Sequence, residues 1–452
     1  MNIQFLGATG TVTGSKYLLR SESATILVDC GLFQGYKQLR LRNWSSLPVR
    51  PAEIDAVVLT HAHLDHSGYL PLLVRDGFHG KIYCSEATFD LCKILLRDSG
   101  HLQEEDAAYA NRHGFSKHSP AMPLYTEEDA VRSLKSFVPV KFGARFTVAE
   151  DLTAELALAG HILGASIVTI RDGKRSVTFS GDLGRADDPI MESPARIAQS
   201  DCLLVESTYG NRRHSGDDPL SVLEQTVNET IGRGGAVVIP SFAVGRAQEL
   251  MYYLHLLKER GAIPSSLPVY LDSPMARQAT AIYAKHHEDH RLTAAQCRAI
   301  SESATIVSSV EESQEIDRKQ VPKVIISASG MATGGRVLHH LKAFAPDHRN
   351  TILFAGYQAG GTRGAAMIAG ADSIKIHGMQ VPVRAQVTQI ETLSAHADSD
   401  GIMAWLSGFE KPPRQTFVVH GEPDAADALR RRIQDELGWN CRVPEFLESV
   451  EL

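Results

Sequence analysis

The chain has 452 residues, 43% of them hydrophobic and 22% charged, with a formal net charge of −7. That length exceeds what one core usually supports, so two lobes are expected, and the composition excludes large disordered stretches. The acidic balance excludes a broadly basic nucleic-acid surface, so any path for phosphates must be a local patch or be supplemented by bound metal. The N-terminus lacks a basic-then-apolar leader and no run of about 18 apolar residues occurs, which points to a cytoplasmic protein. Cys30, Cys84, Cys92, Cys202, Cys297 and Cys441 form no CxxC pair, so they read as inert thiols. Short strands punctuated by Gly and Thr open the chain, at residues 2–8, 16–21 and 25–31, the texture of a layered sheet. Residues 56–66 (AVVLTHAHLDH) read as a buried strand running into a polar loop, residues 68–77 as a helix and residues 81–87 as a strand again. The polar stretch 97–124 is expected at the rim, a helix followed by a loop. From about residue 209 strand-then-helix units recur, at 234–261, 268–287, 323–344 and 351–361, which argues for a parallel sheet with helices on its faces. After about residue 392 the chain returns to loop-borne histidines and a closing strand, 415–422. One domain interrupted by another, with an active site between them, is the simplest account.

His61, His63, Asp65 and His66 lie within six residues, directly after an apolar strand. Imidazole and carboxylate suit zinc, and a loop leaving a strand can aim alternate side chains at one centre and the adjacent Asp-His pair at another. Two ions need more donors than this loop supplies. His161 in AGHILGA, Asp182 in SGDLG and Asp29 in LVDCG offer them at other strand ends. A lone Asp beside Gly is more often a turn residue, so it is the set together that argues for a site.

Asp29, His61-Ala62-His63-Leu64-Asp65-His66, His161 and Asp182 resemble, in order, the first four motifs of the metallo-β-lactamase superfamily. Glu206-Ser207-Thr208-Tyr209-Gly210, Leu393-Ser394-Ala395-His396 and Val419-His420-Gly421-Glu422 resemble motifs A, B and C of its β-CASP branch, which includes RNA-processing nucleases such as ribonuclease J. The resemblance spans nearly the whole chain. It implies an α/β fold, a metallo-β-lactamase αββα sandwich over residues 1–208 and 393–452, interrupted at 209–392 by a β-CASP domain with a parallel sheet and flanking helices. It also implies two Zn²⁺ per chain, one on His61, His63 and His161 and one on Asp65, His66 and His420, with Asp182 bridging and Asp29 behind, accepting a hydrogen bond from a liganding imidazole.

The activity implied is a zinc-dependent ribonuclease in which a metal-bridging hydroxide attacks phosphorus, leaving 5′-phosphate and 3′-hydroxyl ends, with Asp65 and Asp182 among the catalytic residues. His396, paired with Glu206, is expected on the leaving-group side, where it either protonates the departing oxygen or binds a phosphate oxygen. Ser394 and Ala395 beside it, and Ser329 and Gly330 in the glycine-rich turn before a helix beginning at Arg336, are expected to contact phosphate. A second family-like stretch, 356–364, precedes Ala365, where relatives often carry Arg. His113, His118, His214, His286, His287, His290, His339 and His340 are expected at the surface, and His377 on a strand approaching the site. The rival readings are a DNA nuclease of the same branch, a small-molecule metallo-hydrolase and a non-catalytic RNA-binding scaffold. The motif C histidine, a feature of the RNA-processing members, favours RNA as the partner. No membrane is expected, and the sequence leaves open a homodimer, RNA-processing partner proteins and endo- against exonucleolytic cleavage.

Overall fold

The computed structural model describes every residue except Phe115, Tyr357 and Ala359. Two compact units emerge, one formed by Met1–Arg213 with His396–Leu452 and the other by His214–Ala395.

In the first unit, two seven-stranded sheets are built from short apolar runs. One has the order Ser449–Glu451, Asn2–Phe5, Tyr17–Arg20, Thr25–Val28, Ala56–Val58, Lys81–Ser85, Phe137–Val140. The other has the order Cys441–Arg442, Gln415–Val419, Cys202–Glu206, Ser176–Phe179, Ser166–Arg171, Leu152–Leu158, Arg145–Ala149. Their inner faces share one core that includes Phe5, Tyr17, Leu156, Phe179 and Phe417. The Phe5 and Phe417 rings meet across it at 4.9 Å, and Tyr17 and Phe179 at 5.8 Å. Full burial of such side chains is worth about 1.5–3 kcal/mol each. Outside, helix Glu86–His113 packs on strands Lys81–Ser85 and Phe137–Val140, and helix Pro423–Leu437 on strands Gln415–Val419 and Cys441–Arg442, which completes the expected αββα layering.

Both sheets contain a parallel run, and parallel pairing aligns strand ends. Val28 lies level with Val58, and Val58 with Tyr83; in the second sheet Phe179 lies level with Leu204, and Glu206 with Val419. The loops that follow therefore emerge side by side at one edge of the sandwich, where α/β folds place their sites.

The second unit carries six parallel strands in the order Thr305–Ile306, Val269–Asp272, Lys323–Ser327, Ala236–Pro240, Thr351–Ala355, Gln386–Ile390. Three of its inner strands, Lys323–Ser327, Ala236–Pro240 and Thr351–Ala355, are buried on both faces, and Val238, Ile325, Leu341, Ile352 and Phe354 belong to its core. A hairpin, Ser373–Ile376 with Met379–Pro382, is appended.

Candidate metal centre

Strand Ala56–Val58 ends in a loop that presents His61 and His63, and the single turn Leu64–Ser67 then carries Asp65 and His66. A close fit holds this turn in place. Cys30 N–H donates to the His66 carbonyl at 2.7 Å and Leu32 N–H to the Leu64 carbonyl at 2.8 Å. A Cβ on Gly31 would stand 1.6 Å from the Asp65 carbonyl oxygen, so only glycine admits this approach. His161 follows strand Leu152–Leu158, Asp182 follows Ser176–Phe179, Glu206 ends Cys202–Glu206 and His420 follows Gln415–Val419.

Two donor sets result. His63 Nδ1 lies 3.1 Å from His61 Nε2 and 3.2 Å from His161 Nε2, and Asp182 Oδ2 lies 3.5 and 3.6 Å from those two nitrogens. In the second set, His66 Nε2 is 3.1 Å from His420 Nε2, Asp65 Oδ2 is 3.5 Å from His420 Nε2, and Asp182 Oδ1 is 3.3 Å from His66 Nε2. Each carboxylate oxygen of Asp182 thus faces one set. Four donors at about 2.0–2.1 Å from a tetrahedral ion lie about 3.3 Å apart, the spacing seen here. Asp182 Oδ1 is buried and accepts no well-directed hydrogen bond among the described residues, an arrangement that a cation satisfies and an apolar core would not. The donors therefore fit two zinc ions.

Protonation states agree in part. Burial holds His63 down to about 4 and His61 well below its usual range, leaving both neutral, the form in which an imidazole can coordinate a metal. Burial disfavours the Asp182 carboxylate, but the His420, His66 and His61 imidazoles outweigh it and hold the group well below the usual range. Burial likewise opposes a charge on His66, yet Asp182, Asp29 and Asp65 raise it well above its ordinary value, so an ion entering this set displaces a proton.

Asp29 stands behind the second set. Its Oδ2 lies 2.7 Å from His66 Nδ1, and it accepts from Thr60 N–H at 2.7 Å and Thr60 Oγ1 at 2.9 Å. Glu206 accepts from the Leu183 N–H at 2.6 Å and lies 3.1–3.2 Å from His396 Nδ1. The His396 side chain is 18% exposed, and its Nε2 is 3.9 Å from Asp182 Oδ2. Burial lowers its affinity for a proton, but Glu206 more than compensates and raises the ring to about 9.

Two contributors escaped sequence reasoning. Thr60 Oγ1 sits 3.1 Å from His61 Nδ1, and Thr208 Oγ1 sits 3.1 Å from His420 Nδ1. Thr60 adjoins one motif and Thr208 lies within another, but a hydroxyl beside a candidate ligand carries no distinctive signal in one sequence.

The remaining expected contacts lie in the other unit. Ser329 Oγ accepts from Thr333 N–H at 3.1 Å, and the Gly330 carbonyl accepts from Gln358 Nε2 at 3.1 Å. The turn leads into helix Val337–Phe344, with Arg336 as its N-cap. Ser394 is buried and Ala395 half-buried at the end of a short turn. In the stretch 356–364, Tyr357 and Ala359 lie outside the described residues. Arg363 is engaged by the carbonyls of Lys375, Ala332 and Thr333, and Ala365 is half-buried in the first turn of helix Arg363–Ile368. Two histidines expected at the surface are buried. His340 lies between Asp272 (2.8 Å) and Asp317 (2.6 Å), and His290 lies 3.0 Å from the Tyr283 carbonyl. His377 is exposed at the hairpin turn, its ring 5.2 Å from that of His339.

Three family descriptions match the chain: the metallo-β-lactamase superfamily at residues 9–233, the β-CASP domain at 247–367 and the Zn-dependent metallo-hydrolase RNA specificity domain at 380–444. Ribonuclease TTHA0252 of Thermus thermophilus is 35% identical over the full length of both chains. Transcription termination factor FttA of Methanosarcina mazei is 34% identical across all of this chain and 72% of its own length, and that of Pyrococcus abyssi 30% across all of this chain and 71% of its own. A crystal structure of a protein of unknown function from Enterococcus faecalis V583 has the same fold, with a TM-score of 0.55 at 14% identity, covering 100% of this chain and 99% of that one. No helix among the described residues is long and apolar enough to cross a membrane.

Proposed function

This chain belongs to the metallo-β-lactamase superfamily and to its β-CASP branch, and from that premise we propose that it is a zinc-dependent ribonuclease that hydrolyses RNA phosphodiesters to 5′-phosphate and 3′-hydroxyl ends. The observation that carries the reading is the pair of donor sets sharing Asp182, with a partly exposed imidazole, His396, close to them but held by Glu206. When bound, zinc supplies an acidified water at neutral pH and charge neutralisation at the phosphoryl oxygens. His61, His63 and His161 would hold one ion and Asp65, His66 and His420 the other, with Asp182 available to both donor sets.

The chain's own contribution to bond cleavage centres on His396. Glu206 accepts from His396 Nδ1, which fixes the ring and directs Nε2 away from the carboxylate. The Leu183 N–H in turn pins Glu206. Because the Glu206 carboxylate favours the protonated ring, His396 can offer a proton from Nε2 to the departing 3′-oxygen. Two such ions alone would serve many hydrolases; the Glu206–His396 pair suits a poor alkoxide leaving group.

RNA is supported as the substrate by the ribonuclease among the relatives and by the RNA specificity description over residues 380–444. The test is incubation of the zinc-loaded protein with end-labelled RNA and matched DNA, reading product size and end chemistry. RNA products bearing 5′-phosphate are expected. Equal or preferential cleavage of DNA, or products with cyclic phosphate ends, would refute the reading.

A further inference from the structure

Helix Lys37–Arg42 has no buried residue. Six residues cannot hold a helix by propensity alone, so the segment is held from its ends. Asn43 clasps the Phe33 backbone with two hydrogen bonds, to its carbonyl at 2.8 Å and from its N–H at 2.9 Å. Arg42 lies over the Phe446 ring at 4.1 Å. What this anchoring displays is an aromatic and basic ridge. Tyr36 is 58% exposed and Trp44 61% exposed, with Leu41 between them. Lys37 and Arg40 are exposed and form no ion pair among the described residues. No acidic residue occurs from 32 to 52 in a chain whose net charge is −7. Behind Trp44 a groove of about 380 Å³ runs past Ser45, Leu47 and Tyr69. Tyr69 lies only three residues beyond His66, and Leu32, at the start of the segment, is bonded to the metal-bearing turn.

Three large apolar side chains this exposed within nine residues, Tyr36, Leu41 and Trp44, form the kind of grouped apolar surface that marks an interaction site. Aromatic faces interleaved with cations are what single-stranded nucleic acid requires, since bases stack on rings and phosphates seek charge. We propose that the 36–50 ridge is a binding subsite for single-stranded RNA, with Tyr36 and Trp44 stacking on bases and Lys37 and Arg40 meeting phosphates, and that it holds the substrate strand beyond the scissile bond. The proposal rests on the ribonuclease reading.

The test compares the zinc-loaded parent with Y36A/W44A and with K37E/R40E, on a long single-stranded RNA and on a nitrophenyl phosphodiester too short to reach the ridge. Both variants are expected to keep the parent rate on the small substrate. On long RNA, KM should rise by about tenfold or more for the aromatic pair with kcat little changed, and K37E/R40E should also flatten the salt dependence of binding by about two phosphate contacts. RNA should quench Trp44 fluorescence in the parent. A KM within twofold of the parent in both variants would overturn the proposal. So would unchanged RNA kinetics with loss of a dimer in light scattering, which would assign the ridge to a second copy. A parent that hydrolyses the nitrophenyl ester but no RNA would instead sink the ribonuclease reading, a result visible before any variant is made.

Discussion

Asp29 and His420 both adopt left-handed backbone, with φ of 58° and 50°, a region that costs an L-residue about 1 kcal/mol or more. The conformation persists because each is over-determined: Asp29 N–H is bonded to the Val58 carbonyl and His420 N–H to the Ala8 carbonyl. Replacing Asp29 with Asn should keep the turn but lose the anionic partner of His66, lowering zinc affinity about 10–100-fold; titration calorimetry giving the parent affinity would remove Asp29 from the site. His396→Ala should retain both ions and lose about 10²–10⁴-fold in rate on RNA, largely restored on a nitrophenyl diester that needs no protonation. His420→Ala should lose metal and activity together, with no such rescue. Equal metal loss in the two variants, or no rescue of His396→Ala, would reassign His396 as a ligand or phosphate contact. The histidines that cluster in the two donor sets were legible as candidates because imidazoles at alternate positions after an apolar strand have few other uses. His340 was not, because its partners Asp272 and Asp317 stand 68 and 23 residues away.

At the level of elements, the approach of Gly31 to the Asp65 carbonyl ties one strand end to the next. Gly31→Ala must push the turn bearing Asp65 and His66 outward, at a cost of about 1–3 kcal/mol, and metal analysis should find the second ion depleted more than the first. In the other unit, Asp272 ends a strand and accepts from His340, Ser313 and Arg336, the last at 2.6 Å, so one carboxylate fixes the start of the helix behind the Ser329–Gly335 turn. Burial opposes ionisation of both Asp272 and His340, yet their mutual bonds lower the acid and raise the imidazole. The raised histidine stabilises fully below its ordinary 6.5 and loses that contribution as pH climbs through its folded value; the lowered acid stabilises fully above 3.8 and loses it as pH falls. The melting temperature of the parent should therefore decline on the alkaline side relative to His340→Gln, and parallel pH curves would refute the linkage. The strand-then-helix alternation of this unit could be read from its apolar runs. The helix Lys37–Arg42 could not, because a helix with no buried face leaves no periodic signature.

For the molecule as a whole, the reading requires about two zinc ions per chain and loss of RNA cleavage in chelator, with activity restored by added zinc; full turnover in chelator would refute it. A layered sheet and the insertion were both visible in the alternation of patterns along the chain, the αββα arrangement followed only from the family resemblance, and the register that brings the strand ends level was not legible, since pairing between distant strands leaves no local trace. One consequence concerns the making of the protein. His66 meets His420 across 354 residues of sequence, and strand Gln415–Val419 lies inside its sheet, between Cys202–Glu206 and Cys441–Arg442. The first donor set is complete once Asp182 has been synthesised, but the second waits for the return of the interrupted unit, which brings His420. On the reading proposed above, a nascent chain that has not yet reached His420 would lack a complete second donor set, and the two-ion chemistry would have to wait for it.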